Sequence, residues 1–390
     1  MHNNKTFCVL PFIHFEINTQ GEYRPCCLYK DAALRDDGTQ FNVTEDSIED
    51  IRDSLWLAEV QRKMLSGEED AGCFKCYNDE RLGNTSRRLK ENERFFSEIE
   101  NINAGEYNIR IMDIKPGNVC NLKCRICNEN SSSLWLSEKM NNKGLRIDDN
   151  KKRQYKWFEN TTFWDDILEF IHDVTHIEIF GGEPMLMKQQ FRFLEQLIDL
   201  GIAGNIELAY ATNGTIYPEN AIKNIFPHFK HVTFMVSADG IEDTFEYCRH
   251  PGKWSVFSEN LDRLLQDDIS VSICYSVSVY SIYNLPQALD YYMAKGVPVW
   301  LNTVYDREKN LTVLPAEIKR EMTDYLLRRI NREWDTILHE KSFQSYIEYM
   351  NSADGSAAWN DFVVMTRASD RYRKERVTDI VPMFKEYFDA

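Results

Sequence analysis

Cys120-Asn-Leu-Lys-Cys124-Arg-Ile-Cys127 is the stretch on which the rest of this chain turns. It follows an alternating apolar run at 108–115 that reads as a strand, and it sets three thiols at spacings of four and three in one short loop. Thiolates so spaced can converge on one metal centre. A structural zinc site needs a fourth ligand and usually two paired Cys-x-x-Cys knuckles. This loop offers three cysteines, and no histidine lies close by. Three thiolates suit an iron–sulfur cube with one iron left for another molecule to coordinate. A zinc knuckle that borrows Cys73 or Cys76 is the alternative.

Outward from the loop, the chain alternates between two periodicities. Period-two apolar runs at 108–115, 176–180, 206–212, 231–237, 270–278 and 297–305 predict strands. Helical spacing predicts helices at 131–140 with 164–172, then at 187–200, 218–226, 256–266 and 285–295. Repeated strand–helix units predict an α/β fold with a parallel sheet. Six such units imply a partial (β/α)6 TIM-like barrel rather than a closed eight-fold one. Three short motifs end successive strands: Ile179-Phe-Gly181-Gly182-Glu183-Pro184, Ala211-Thr212-Asn213-Gly214 and Ser237-Ala-Asp239-Gly240. Each alone could be a plain glycine turn. Together they occupy one rim, the strand C-terminal ends, where ligands bind in such barrels.

Before the barrel lies a cysteine-bearing segment. Residues 13–18 alternate, Thr19-Gln-Gly21 turns, and 22–26 returns, which predicts a hairpin. Helical spacing at 47–65 leads through Gly67 and Gly72 into Cys73-Phe-Lys-Cys76. Eight of the ten cysteines precede residue 128; Cys248 and Cys274 stand singly in apolar settings and read as small core residues. Residues 315–340 show one long helical period, and no strand is evident beyond Leu314.

The whole chain has 390 residues, 43% hydrophobic and 28% charged, with 46 basic against 62 acidic side chains. A net charge of −16 repels phosphate backbones and anionic lipid, which argues against general nucleic-acid or membrane binding. The start lacks an export signal and no apolar run spans a bilayer, so a soluble, cytoplasmic protein is expected. In a reducing compartment the cysteines read as thiols or metal ligands before disulfides.

At this point the sequence resembles the radical SAM superfamily. The cysteine loop matches that family's Cys-x3-Cys-x2-Cys motif, with Cys120, Cys124 and Cys127 as ligands of a 4Fe-4S cluster. Gly181-Gly182-Glu183-Pro184 resembles the motif that holds the amino group of S-adenosylmethionine. Ser237 and Asp239 match the ribose-contacting positions, and Thr212 and Asn213 the rim facing the cofactor. Arg249, in Tyr247-Cys-Arg249-His-Pro-Gly, is similar to an arginine that pairs with the SAM carboxylate. Ile126 departs from the aromatic residue usual before the third cysteine. The resemblance covers about 108–305 and implies reductive cleavage of SAM to a 5′-deoxyadenosyl radical that abstracts hydrogen from a substrate. It also implies an electron donor such as a flavodoxin or ferredoxin. The cofactor carries the difficult chemistry, and no general base is assigned.

The earlier cysteines resemble a twitch domain, related to the SPASM domain, with Cys8, Cys26, Cys73 and Cys76 as ligands of an auxiliary iron–sulfur cluster. The flanks Phe7-Cys-Val-Leu-Pro11-Phe, Glu80-Arg-Leu-Gly-Asn-Thr-Ser86-Arg87 and Asp370-Arg-Tyr-Arg373 resemble the group that carries this module at its N-terminus. Adjacent strand residues point to opposite faces, so one of Cys26 and Cys27 should reach the cluster. His14 reads as a hydrogen-bonded structural histidine, with a ligand role as the alternative, and a four-cysteine zinc knuckle is the rival for the module. Lys151-Lys-Arg153 reads as a solvated loop and Arg87-Arg88 as a surface helix face, with contact to an anionic substrate as the alternative. The expected domains are 1–104 for the auxiliary-cluster module, 105–310 for the barrel and 311–390 for a helical extension. The expected substrate is a peptide or protein side chain. A small molecule such as a nucleotide or sugar is the second reading, and a non-catalytic metal-binding scaffold the third.

Overall fold

The computed structural model describes residues 4–81, 85–143, 146–339 and 342–388. The chain divides into two compact units. One comprises Met1–Cys120, Glu129–Tyr210 and Pro218–Val232; the other comprises Asn121–Asn128, Ala211–Tyr217 and Thr233–Ala390.

In the first unit the expected hairpin forms from β1 (His14–Ile17) and β2 (Tyr23–Arg24), paired antiparallel with Ile17 opposite Tyr23. Its turn needs a glycine: Gly21 has φ +81°, and a Cβ there would meet Asn42 Oδ1 at 2.8 Å. Asn18 closes the turn by accepting from Gln20 N–H at 2.8 Å and Glu22 N–H at 3.1 Å. Strand β1 then pairs in parallel with β3 (Ile111–Ile114), β3 with β4 (His176–Ile179) and β4 with β5 (Glu207–Thr212). The pairing of β1 with β3 joins residues about 100 apart, and no local pattern signals it.

Alternation along these strands separates two faces. Phe15, Ile17, Met112, Ile114, Ile177 and Ile179 form one, all buried. The other carries His14, Glu16, Asp113 and Glu178, of which the first three are buried as well. Parallel strands covered on both sides are normally apolar throughout, so this polar face is unusual.

The second unit continues the strand–helix alternation with β6 (His231–Ala238), β7 (Ser270–Val277), β8 (Val299–Thr303) and β9 (Leu338–His339), where β6–β7, β7–β8 and β8–β9 pair in parallel. The fold is thus α/β, mostly parallel, of the partial TIM-like kind, with a helical C-terminus. Helices form within a few residues of their expected places: Lys188–Asp199, Glu219–Asn224, Trp254–Leu264 and Leu285–Ala294.

Two long periodic segments are broken. The period at 47–65 splits into Ile48–Arg52 and Leu55–Ser66, because Ser54 caps the second helix through Leu57 N–H. The period at 315–340 yields a helix at Ala316–Leu327, a turn at Arg332–Thr336, then the unexpected strand β9. Here Asn331 accepts from Glu333 N–H and starts a new turn, while Trp334 is buried with its Nε1 donating to Asp290 at 2.7 Å. Burying that indole outweighs the few tenths of a kcal/mol of helix propensity per residue. No described helix is long and apolar enough to cross a membrane.

Candidate functional site

In the second unit the cysteine loop is stitched to the segment that carries Arg249. Lys123 N–H donates to His250 O and Arg125 N–H to Cys248 O, each at 2.7 Å. Cys124 is buried. The Arg249 Nη1 donates to Cys124 Sγ at 3.6 Å, and its Nε lies 3.3 Å from Asp239 Oδ2. Asp239 in turn accepts from Ser276 N–H at 3.3 Å. Burial opposes the charge on Arg249, but Asp239 and the thiols of Cys124 and Cys127 outweigh it and raise its pKa. Cys127 donates to Cys124, which lowers the Cys124 pKa; burial opposes that shift and Arg249 supports it. Cys124 thus stands beside a fixed cation, which pulls its thiol toward thiolate, the ligand form of cysteine.

Asn121, inside the motif, ties the loop to the end of β5. It accepts from Asn213 Nδ2 and donates to Thr215 Oγ1, both at 2.8 Å. Thr212 Oγ1 accepts from Gly214 N–H at 3.2 Å. Ser237 is half-buried and lies opposite Cys274 in the β6–β7 register. Cys248 is buried, and burial pushes the half-buried Cys274 thiol up to about 11.

Sequence reasoning missed Arg125. Its guanidinium is 2.7 Å from Asp370, 2.5 Å from Glu375 and 4.0 Å from the Tyr247 ring centroid. The helix Trp359–Arg373 and the residues after it thereby clamp the middle of the cysteine loop. An arginine between two cysteines was the available signal, but its partners lie some 250 residues away. Glu375 also hydrogen-bonds His250 Nδ1 at 2.5 Å. Burial raises the pKa of Glu375, yet His250 and Arg125 together hold it below the usual 4.5. A carboxyl depressed in the folded state stabilises above its unfolded pKa and loses that contribution as pH falls through the folded one. Stability is therefore expected to decline below about pH 4.5, with Glu375→Gln showing a shallower decline in a Tm–pH profile. Equal slopes for the two proteins would remove this pairing as a cause.

In the first unit the rim motif Gly181-Gly182-Glu183-Pro184 lies against the backbone that leads into Cys120. Gly182 N–H donates to Gly117 O at 3.3 Å and Glu183 N–H to Val119 O at 2.8 Å. A Cβ on Gly182 would meet Val119 O at 2.2 Å, so only glycine permits this approach. Cys120 N–H donates to Ser133 Oγ at 3.2 Å.

The N-terminal cysteines gather in the same unit. Cys8, Cys26 and Cys73 share one apolar cluster, and Cys76 is buried. Burial is the main cause raising the Cys8, Cys26 and Cys73 thiols, and their mutual proximity adds to it: Cys73 and Cys76 act on Cys8, Cys8 on Cys26, and Cys26 and Cys76 on Cys73. Cys27 also acts on Cys26, and its own sulfur accepts from Arg87 Nη1 at 2.6 Å. Burial pushes the Cys27 thiol up to about 11 against the opposing pull of Arg87. His14 is hydrogen-bonded through Nδ1 to Pro25 O at 3.1 Å. Leu82, Gly83 and Asn84 of the flanking motif lie outside the described residues. Contrary to the surface reading, Arg88 is buried, donating to Phe7 O at 2.6 Å and pairing with Glu80; Arg87 reaches Glu178 at 3.6 Å. Their charges are satisfied within the fold, which a helix-face pattern cannot reveal.

Compared with known proteins, residues 114–286 match the model of the radical SAM superfamily. The chain is similar to the solved structure of native anSMEcpe with bound AdoMet at 16% identity and a TM-score of 0.40, over 56% of this chain and 60% of that one. It is also similar to Streptococcus suis SuiB bound to S-adenosylmethionine, at 12% identity and a TM-score of 0.36, over 83% and 68% of the two chains. The chain thus spans 60% of the length of the anSMEcpe chain. No curated protein matches.

Proposed function

This chain belongs to the radical SAM superfamily through residues 114–286, and from that premise we propose that Cys120, Cys124 and Cys127 hold a 4Fe-4S cluster at which S-adenosylmethionine is cleaved. The match at 114–286 supports an enzyme over a non-catalytic scaffold, and this reading calls for both cofactors. Two features fit them: the buried Cys124 sulfur facing the Arg249 guanidinium, and the Gly182 cradle that a Cβ would fill. When bound, the cluster and SAM supply the 5′-deoxyadenosyl radical that takes hydrogen from the substrate. The residues of this chain bind and orient. In this reading Gly181, Gly182, Glu183 and Pro184 take the amino group, Ser237 and Asp239 the ribose, and Thr212 and Asn213 face the cofactor. Arg249 presents a cation to the carboxylate; Asp239 holds that guanidinium in place.

Cys8, Cys26, Cys73 and Cys76 are assigned to an auxiliary iron–sulfur cluster, with 1–104 as its module, 105–310 as the SAM barrel and 311–390 as the helical extension. Their mutual influence supports this assignment. The substrate reading is a peptide or protein side chain, resting on the likeness of this cysteine pattern to twitch modules.

The observation that carries the reading is Arg249, placed between Asp239 and Cys124 at 3.3 and 3.6 Å. Anaerobic reconstitution is expected to give about eight iron atoms per chain and, with SAM and reductant, 5′-deoxyadenosine. Replacing Cys120, Cys124 and Cys127 by alanine should leave about four iron atoms and abolish that product. Unchanged 5′-deoxyadenosine formation in the triple variant, or none from wild type, overturns the assignment. Zinc retained at the N-terminal cysteines in place of iron removes the second cluster.

A further inference from the structure

Across β1, β3 and β4, Glu16 stands opposite Asp113 and Asp113 opposite Glu178. Carboxylates placed directly opposite one another on a sheet repel. Glu16 is 1% and Asp113 0% exposed, so water does little to screen them. Two cations reach this row. Lys115 bonds Glu16 and stands 3.4 Å from Asp113, while Arg87 stands 3.6 Å from Glu178. Arg87 is shared with Glu91 at 3.5 Å and with the Cys27 sulfur, so negative charge remains in surplus.

His14 lies on the same face, two residues before Glu16 on β1. Its Nδ1 faces the carbonyl of Pro25 at 3.1 Å. A carbonyl can only accept, so Nδ1 carries the hydrogen and Nε2 carries a lone pair. His14 is 3% exposed, and its Nε2 has no hydrogen-bond partner among the described residues. Neither do both carboxylate oxygens of Asp113. One ring nitrogen of His14 and one oxygen each of Asp113 and Glu178 lie within 4.8 Å of one another. Acceptors are thus gathered in a buried place with too few donors, an arrangement that costs free energy unless something electropositive enters.

We propose that His14, Asp113 and Glu178 bind a divalent first-row transition-metal ion, at a site distinct from both cysteine sets. A neutral imidazole and two carboxylates suit manganese, iron or zinc, whereas an all-oxygen set would suit magnesium. Three protein ligands leave coordination positions open for water or substrate. Pro25 O fixes the tautomer of His14, as metal-binding histidines generally require.

The test uses the full, anaerobically reconstituted chain with every cysteine intact. Titration with Mn2+, followed by the EPR signal of the free ion, is expected to show one bound ion per chain. Zn2+ should displace it, and Mg2+ should compete poorly. His14→Gln and Asp113→Asn should each weaken binding roughly tenfold or more, and the nitrogen coupling of the bound Mn2+ should vanish in His14→Gln. Asp113→Asn is nearly isosteric and sheds repulsion, so it carries the test if His14→Gln does not fold. No depletion of free Mn2+ at millimolar concentration overturns the proposal, as does binding that both variants leave unchanged. Formation of 5′-deoxyadenosine is read separately, so either result stands apart from the assignment of the SAM cluster.

Discussion

Arg125→Ala is expected to destabilise the protein by about 3–5 kcal/mol and to lower its retained iron. The side chain is 2% exposed and faces two carboxylates, Asp370 and Glu375. Removing the cation leaves both anions without it in a poorly solvated place, which costs more than the pair contributes when intact. Tyr247 also loses the guanidinium 4.0 Å from its ring centroid. Asp370 keeps Tyr247 OH and Val377 N–H, each at 2.8 Å, so the tail should detach in part rather than unfold outright. The loop then keeps the backbone bonds of Lys123 and Arg125 to the 248–250 segment and the side-chain bonds of Asn121, without the C-terminal clamp. Arg125→Lys should recover part of the loss, since charge survives but the planar fork does not. Denaturant unfolding and iron content measure the two effects. A variant as stable as wild type, with full iron, would mean that the C-terminal clamp does not hold the loop.

The second large effect is expected at Gly182. A methyl group there would sit 2.2 Å from Val119 O and 2.7 Å from the carbonyl carbons of Asn118 and Val119. These neighbours are main chain, so no side chain can rotate away. The segment Gly117–Val119 must move, and it runs straight into Cys120. Gly182→Ala should cost about 3 kcal/mol, at the upper end of overpacking, and reduce SAM binding well below what the stability loss explains. Gly204→Ala is the control. Its nearest contact is His228 O at 3.9 Å and its φ is not positive, so the change should stay within about 0.5 kcal/mol. Calorimetry and equilibrium SAM binding on both variants decide the matter. Similar behaviour of the two would show that close backbone approach at Gly182 is unimportant.

Much of the fold was legible locally. Period-two runs placed the strands from 108 to 305 within a few residues, because an alternating sequence buries one face wherever it is put. The rim motifs were legible too, since a glycine required by a turn or by a close contact leaves its mark at a known offset from a strand. The proximity of Cys8 and Cys26 to Cys73 was legible only as a pattern of residue type, not as a distance. Arg87, Arg88 and Arg125 were misread or missed for one reason. A charged side chain declares nothing locally about whether it ends in solvent or on a buried carboxylate far along the chain.

What the sequence by itself determined is therefore the set of elements, which follows from short-range spacing, and the motifs on which the resemblance to the radical SAM superfamily rests. Only the tertiary structure decided that β1 lies beside β3. That register turns Glu16, Asp113 and Glu178 into neighbours and places His14 on the same face. Parallel pairing between distant strands depends on burial summed over the whole sheet, and no window of sequence contains that sum.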